Sequence, residues 1–423
     1  MYVSKLKIDG IRGFGARRSV NLDFTRPDGS YAGWTVLAGR NGSGKTTMLQ
    51  AIALALAGEN FIRDPNVWPG SLPTGRASIA ITIVQDSRYD GGLDFGPLDI
   101  KVEWDEKRQA NHPTWLDASV RREGDGWFYA GYGPFRRLSA TALGRSEHRQ
   151  SQRYAGLRTL FDEDISLVEG VAWLIEQHLY RLESRPGAQK MLDAALGIIG
   201  DGMLPDGYRI SGDVDSDGLW VIRNDDRFAL RQMSDGYRTV TALVVDIIRQ
   251  MSSAFGALKL THENGRPTLA YPGVVLIDEV DAHLHVSWQK TIGDWMKEHF
   301  PLVQFIVTTH SPYVCQSADP GGLIRLAAPG EDDHPRVVDH DLYQRVVYGS
   351  GDDAILTDLF GVETPYSTQA ELLRRQLVML ERRVLRGDAS PGEIAEYERL
   401  SETLTSSLTA RVDEVASRLG RNA

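Results

Sequence analysis

The run Gly39-Arg40-Asn41-Gly42-Ser43-Gly44-Lys45-Thr46-Thr47 decides the fold. It stands between an apolar strand, Trp34-Thr35-Val36-Leu37-Ala38, and an apolar helix carrying Met48, Leu49, Ile52, Leu54 and Leu56. A phosphate-cradling loop needs that context. Gly39, Gly42 and Gly44 let the backbone fold back so that successive N–H groups face phosphate oxygens, and the following helix adds its positive N-terminal end. Lys45 is placed to reach the β- and γ-phosphates, and the Thr46 hydroxyl to ligate magnesium. Asn41, Gly42, Ser43, Gly44, Lys45, Thr46 and Thr47 are therefore the expected nucleotide contacts, with ATP and Mg2+ as the expected ligands.

Working outward, 423 residues suffice for one composite domain or about two to three units. The single cysteine, Cys315, excludes a disulfide framework and suits a reducing interior. Val3, Leu6 and Ile8 alternate with polar residues, so the N-terminus reads as a strand and not as a basic leader. No apolar run approaches membrane-spanning length, and the expectation is a soluble cytoplasmic protein with no membrane contact. A formal charge of −10 confines any nucleic-acid contact to a local patch. Arg136, Arg137, Arg145, Arg149, Arg153 and Arg158, with His148, form the candidate; an Arg-rich solvated surface is the plainer reading.

The pattern along the chain is α/β. Residues 2–9, 18–24 and 34–38 read as strands, and the alternations at Ile79-Ile81-Ile83 and Ile100-Val102-Trp104 as an antiparallel side sheet closed by Trp127-Phe128-Tyr129. From Asp162 the period changes. Ile165, Val168, Val171, Leu174, Ile175, Leu179 and Leu182 fall on one helix face and predict a helical lobe, followed by a hairpin turning at Asp217-Gly218. Lobe and hairpin together form an insertion at about 137–230. Val274-Val275-Leu276-Ile277 and Phe305-Ile306-Val307 read as buried parallel strands. The main body is expected to end near 364. Residues 365–423 predict a helical hairpin, with Leu373, Leu377, Leu380 and Val384 on one helix and Ser390-Pro391-Gly392-Glu393 capping the next.

Three further motifs carry chemistry. Asp278 and Glu279 end an apolar strand, where open α/β sheets place ligands; Asp278 suits magnesium and Glu279 suits orienting and deprotonating the attacking water. Thr308-Thr309-His310-Ser311-Pro312 follows the next strand and offers His310 to the γ-phosphate. Met233-Ser234-Asp235-Gly236-Tyr237-Arg238 opens a helix: Ser234 supplies a hydroxyl, and Gly236 lets N–H groups face outward. Taken alone, that segment is a commonplace cap. His283 and His285 are two residues apart, share no helix face and have no cysteine cluster, which argues against a metal site there.

In this order, the phosphate loop, side sheet, helical lobe, MSDGYR, VVLIDE and TTHSP, with the start KLKIDGIRGFG, resemble the ABC-type ATPase heads of the SMC and RecF class over residues 1 to about 320. The resemblance implies a homodimer with ATP sandwiched at the interface. Ser234 and Gly236 would contact the γ-phosphate held by Lys45 of the facing subunit, and Asp281 lies where the family's dimer-contacting loop lies. Met233, Asp235 and Tyr237 depart from the residues common in that signature. For the family's glutamine loop two locations stand: Gln85, or GYGPFRR at 131–137, where Arg136 would serve in place of glutamine and which is favoured. Arg12 would touch the nucleotide as well.

GYGPFRR, SDGYR, DEVDAHLH and TTHSP together look like the ATPases of prokaryotic anti-phage systems, of Septu type or of the overcoming-lysogenisation-defect kind. The expectation is an ATP-hydrolysing switch that regulates a partner effector such as a nuclease. A RecF-like DNA-repair ATPase binding DNA directly is the alternative, and a transporter nucleotide-binding subunit a more distant one.

Overall fold

The computed structural model describes residues 1–15, 17–58, 61, 77–89, 96–104, 114–115, 127–136, 156–162, 167–216 and 218–404. The backbone divides into two units, residues 1–361 and 362–423.

In the first unit, the N-terminal alternation becomes β1 (Tyr2–Asp9), with Val3, Leu6 and Ile8 buried and Lys5 and Lys7 exposed. After β2 (Val20–Asp23) and β3 (Gly33–Ala38) comes α1 (Lys45–Ala57), followed by β4 (Ala77–Val84), β5 (Leu98–Trp104) and β6 (Thr114–Trp115). An antiparallel sheet forms in the order β2-β1-β4-β5-β6. The chain continues through β7 (Tyr129–Tyr132), α2 (Val168–Leu182), α3 (Ala188–Gly200), β8 (Arg209–Asp215), β9 (Gly218–Arg223), β10 (Asp226–Ala229), α4 (Asp235–Phe255), β11 (Thr261–Glu263), β12 (Arg266–Thr268), β13 (Gly273–Ile277), α5 (Ile292–His299), β14 (Val303–Thr309), β15 (Leu323–Arg325) and β16 (Arg336–Val337). A second sheet has the order β16-β15-β3-β14-β13-β7, parallel throughout except for the β15–β16 pair.

Alternation along the parallel strands separates two cores. Leu37, Val274, Leu276 and Ile306 face α1 and the side sheet, whereas Trp34, Val36, Val275, Ile277, Phe305 and Val307 face the core that includes α3 and α4. Helix α1 is apolar on nearly every side because it is buried between the two sheets.

Two sequence expectations need correction. Tyr129–Tyr132 does not close the side sheet; it is the edge strand of the parallel sheet, with Val274 opposite Tyr129 and Ile277 opposite Tyr132. Its aromatic alternation fits either sheet, and close packing decides: a Cβ on Gly273 would lie 2.2 Å from the Phe128 ring. Leu179 and Leu182, placed on the buried face of the lobe helix, are 48% and 65% exposed, because α2 buries Leu174 and turns its C-terminal end outward. The hairpin after the lobe is a three-stranded sheet, β10-β9-β8. Asp217, Ile165 and the residues beyond 404 lie outside the described residues.

In the second unit, α6 (Thr368–Arg386) ends at Gly387, whose φ of 77° is left-handed, and α7 (Pro391–Thr403) starts at Ser390 with the anticipated capping box and proline. Leu380, Leu400 and Leu404 are buried together, with Leu373, Leu377 and Tyr397 beside them. Among the described residues, no helix is long and apolar enough to cross a membrane.

Candidate nucleotide site

Parallel pairing brings the carboxyl ends of β3, β14, β13 and β7 to one edge, and the glycine loop, Asp278-Glu279, His310 and GYGPFRR all leave from that edge. After β3 the backbone turns through Gly42 (φ 75°) and Gly44 (φ 99°) into α1. The cradle has no room for side chains at two of its glycines: a Cβ would lie 2.8 Å from Leu326 O at Gly39 and 2.5 Å from the Phe14 ring at Gly44. Ser43 Oγ is buried with no hydrogen-bond partner among the described residues, a polar group that a phosphate oxygen would satisfy. Lys45 Nζ lies folded over the loop, donating to Gly39 O at 2.8 Å and Arg40 O at 3.3 Å. Burial lowers its pKa, against the opposing pull of Asp278, Glu279 and Asp281.

The Thr46 hydroxyl donates to Asp278 Oδ2 at 2.7 Å, so the two expected magnesium ligands, 232 residues apart in sequence, are brought together. Both are hard oxygen donors, and Asp278 is almost fully buried at 1% exposure, so the pair fits Mg2+. Asp278 Oδ1 accepts from Thr308 Oγ1 at 2.5 Å. That hydroxyl in turn accepts the Glu279 N–H at 2.7 Å. Glu279 is half-buried with φ 45°, a left-handed conformation that costs a non-glycine residue about 1–3 kcal/mol and persists only where neighbours hold it. Val280 N–H donates to Thr308 O at 3.0 Å and Ala282 N–H to Glu279 O at 2.8 Å, which completes the turn.

His310 follows β14, its N–H donating to Asp281 Oδ1 at 3.3 Å; Thr309 Oγ1 donates to the same oxygen at 2.5 Å. The Asp281 carboxylate is thus engaged at the end of β14 within its own chain. Burial, then the nearby Lys45 ammonium, lowers the His310 pKa, and Asp281, Glu279 and Asp278 oppose that shift. The shift favours the neutral ring. Arg12, with φ 48°, donates to Gln50 Oε1 of α1 at 3.1 Å.

Ser234 is exposed at the N-cap of α4 and its side chain makes no cap hydrogen bond, whereas Ser311, Ser350, Ser367 and Ser390 all cap with theirs. Capping therefore does not occupy its hydroxyl. For Gly236 the structure gives a reason other than outward-facing amides: a Cβ would lie 2.4 Å from His283 O, so the glycine lets α4 start against the loop after Glu279. Tyr237 hydrogen-bonds Asp206 at 2.8 Å, and burial followed by that bond raises its pKa to about 12. His285 Nδ1 is within 2.9 Å of Ser287 Oγ at the start of a short helix.

Arg136 has to leave the proposed DNA patch. It is 2% exposed, with Nη1 donating to Asp278 O at 3.3 Å and Nη2 to Glu279 O at 2.7 Å, and burial lowers its pKa to about 10. Arg158 is exposed in a short turn, while Arg137, Arg145, Arg149 and Arg153 lie outside the described residues. Of the two glutamine-loop locations, Gln85 follows β4 in the side sheet, and Arg136 makes the contacts at the site. Sequence reasoning missed Thr308, whose signal was a hydroxyl in an apolar strand, and Gln50, which spans Arg12 and Leu160 O.

The chain is similar to several known proteins. A family model described as "AAA domain, putative AbiEii toxin, Type IV TA system" matches residues 34–316. The Septu protein PtuA of Bacillus mycoides (strain KBAB4) is 27% identical over 74% of this chain and 38% of its own length. The Retron Ec83 probable ATPase of Escherichia coli is 42% identical over 24% of this chain and 17% of its own. The chain thus spans well under half the length of these two relatives. Among solved structures, the SmcHead bound to the C-winged helix domain of ScpA is 20% identical, with a TM-score of 0.45 covering 80% of this chain and 98% of that one. The expected likeness to Septu-type heads is borne out.

Proposed function

The chain belongs to the AAA-domain family whose model spans residues 34–316, and on that premise we propose that it binds and hydrolyses ATP as a dimeric switch. The observation that carries the reading is the meeting of Thr46 with Asp278 at 2.7 Å, directly beside Glu279 and at the mouth of the glycine cradle. Residues 39–47 would hold the triphosphate by backbone N–H groups and Lys45. Magnesium held by Thr46 and Asp278 would neutralise charge on the phosphate oxygens. Glu279 orients a water whose oxygen attacks the γ-phosphorus. As that bond forms, the bond from phosphorus to the ADP oxygen breaks, and Glu279 takes the water's proton. His310 hydrogen-bonds the γ-phosphate.

The free hydroxyl of Ser234 supports completion of the site by a second copy, Ser234 and Gly236 of one subunit approaching the nucleotide on Lys45 of the other. Likeness to a Septu protein supports a cytoplasmic role in anti-phage defence, with the switch acting on a partner effector such as a nuclease. Burial of Arg136 removes one support from the direct DNA-binding alternative.

Phosphate release with ATP and Mg2+ tests the enzymatic part. Lys45→Ala abolishes nucleotide binding, and Glu279→Gln slows turnover by about 10²-fold or more while nucleotide affinity stays within about threefold. A Glu279→Gln variant that turns over at the wild-type rate contradicts the assignment. Capturing tagged Glu279→Gln from its host in ATP tests the partner: a co-captured nuclease supports the defence role, and DNA without protein supports the repair alternative.

A further inference from the structure

Arg136 is a buried cation whose guanidinium donates to two backbone carbonyls and whose Nε has no hydrogen-bond partner among the described residues. Its charge is favoured by the nearby carboxylates of Asp278, Asp281 and Glu279, but its hydrogen bonds go to two backbone carbonyls. They belong to Asp278 and Glu279, on either side of the left-handed turn at Glu279. Thr308 Oγ1 fixes the N–H of Glu279 at 2.7 Å, and Arg136 Nη2 fixes its C=O, also at 2.7 Å. Both ends of the residue that carries the water-orienting carboxylate are thereby held. Arg136 is itself anchored to the helix that Ser234 opens, because its carbonyl accepts from Thr239 Oγ1 at 3.4 Å.

We propose that Arg136 is a positioning residue for hydrolysis: it forks across the carbonyls of Asp278 and Glu279 and holds Glu279 in the backbone conformation that aims its carboxylate at the attacking water. The inference rests on the role given to Glu279 above. It assigns Arg136 to the backbone of the acids, where a residue serving in place of the glutamine would act on the nucleotide.

The test uses the full chain with Arg136→Ala and Arg136→Lys, each alone and combined with Glu279→Gln. Affinity for a fluorescent ATP analogue in magnesium and the single-turnover hydrolysis rate are both measured. Arg136→Ala lowers the rate by about 10²-fold with affinity within about threefold, and lowers it no further in the Glu279→Gln background, because the two act as a unit. Arg136→Lys keeps the charge but offers a single ammonium that cannot fork, and it loses about tenfold in rate at unchanged affinity. If thermal denaturation shows Arg136→Ala to be unfolded, the lysine variant carries the test.

A wild-type rate in Arg136→Lys, an affinity loss matching the rate loss, or a full additional loss in the Glu279→Gln background each overturn the inference while leaving the role of Glu279 intact. An unimpaired Glu279→Gln single variant identifies the other failure, that of the underlying reading, and the inference falls with it.

Discussion

At the residue scale the site is held by hydroxyls and carbonyls as much as by its acids. Thr308 donates to Asp278 and accepts from the Glu279 N–H, so Thr308→Val, nearly the same shape, strands a buried carboxylate oxygen and an amide together. The expected cost is about 1–3 kcal/mol in urea denaturation, with a loss of turnover larger than any loss of nucleotide affinity. Gly236→Ala pushes a Cβ to 2.4 Å from the His283 carbonyl, a backbone atom that cannot swing aside. A destabilisation of about 1–3 kcal/mol is expected, read as a lower thermal midpoint. For His310 the folded pKa lies below its unfolded value, so the unfolded chain binds more protons as pH falls through the unfolded pKa. The stability contributed by the neutral ring is present above that value and is lost toward the lowered folded pKa. His310→Gln should flatten the part of the stability profile just below pH 6.5, measured by denaturation at a series of pH values.

Elements explain why some features were legible in the sequence and others were not. The glycine loop, the apolar strands before Asp278 and His310, and the Ser390 capping box are local patterns, and each appears where its spacing predicts. Strand β7 was misplaced because alternating aromatics specify a strand but not its neighbour; the partner is set by the close approach of Phe128 to Gly273, a contact across the fold. Arg136 reads equally as part of the DNA patch and as the favoured glutamine-loop position for the same reason: nothing in GYGPFRR marks the first arginine as buried against a strand far along the chain, and only the patch reading fails. In the second unit, Leu400 is fully buried between helices with few other core residues among those described. Leu400→Ala should cost about 2–5 kcal/mol locally, seen as faster amide exchange in α6 and α7 with exchange in residues 1–361 unchanged.

For the whole molecule, α4 opens with MSDGYR against the loop after Glu279, with the Ser234 hydroxyl exposed and capping nothing. On the proposed reading, the glycine loop and that serine are two halves of one site, completed when a second copy supplies the missing half. The most direct test is the mass in solution of Glu279→Gln by light scattering, with and without saturating ATP and Mg2+. The account predicts a dimer that forms only with ATP and is abolished by adding Lys45→Ala or Ser234→Arg. A Glu279→Gln chain that binds ATP yet stays monomeric would contradict it.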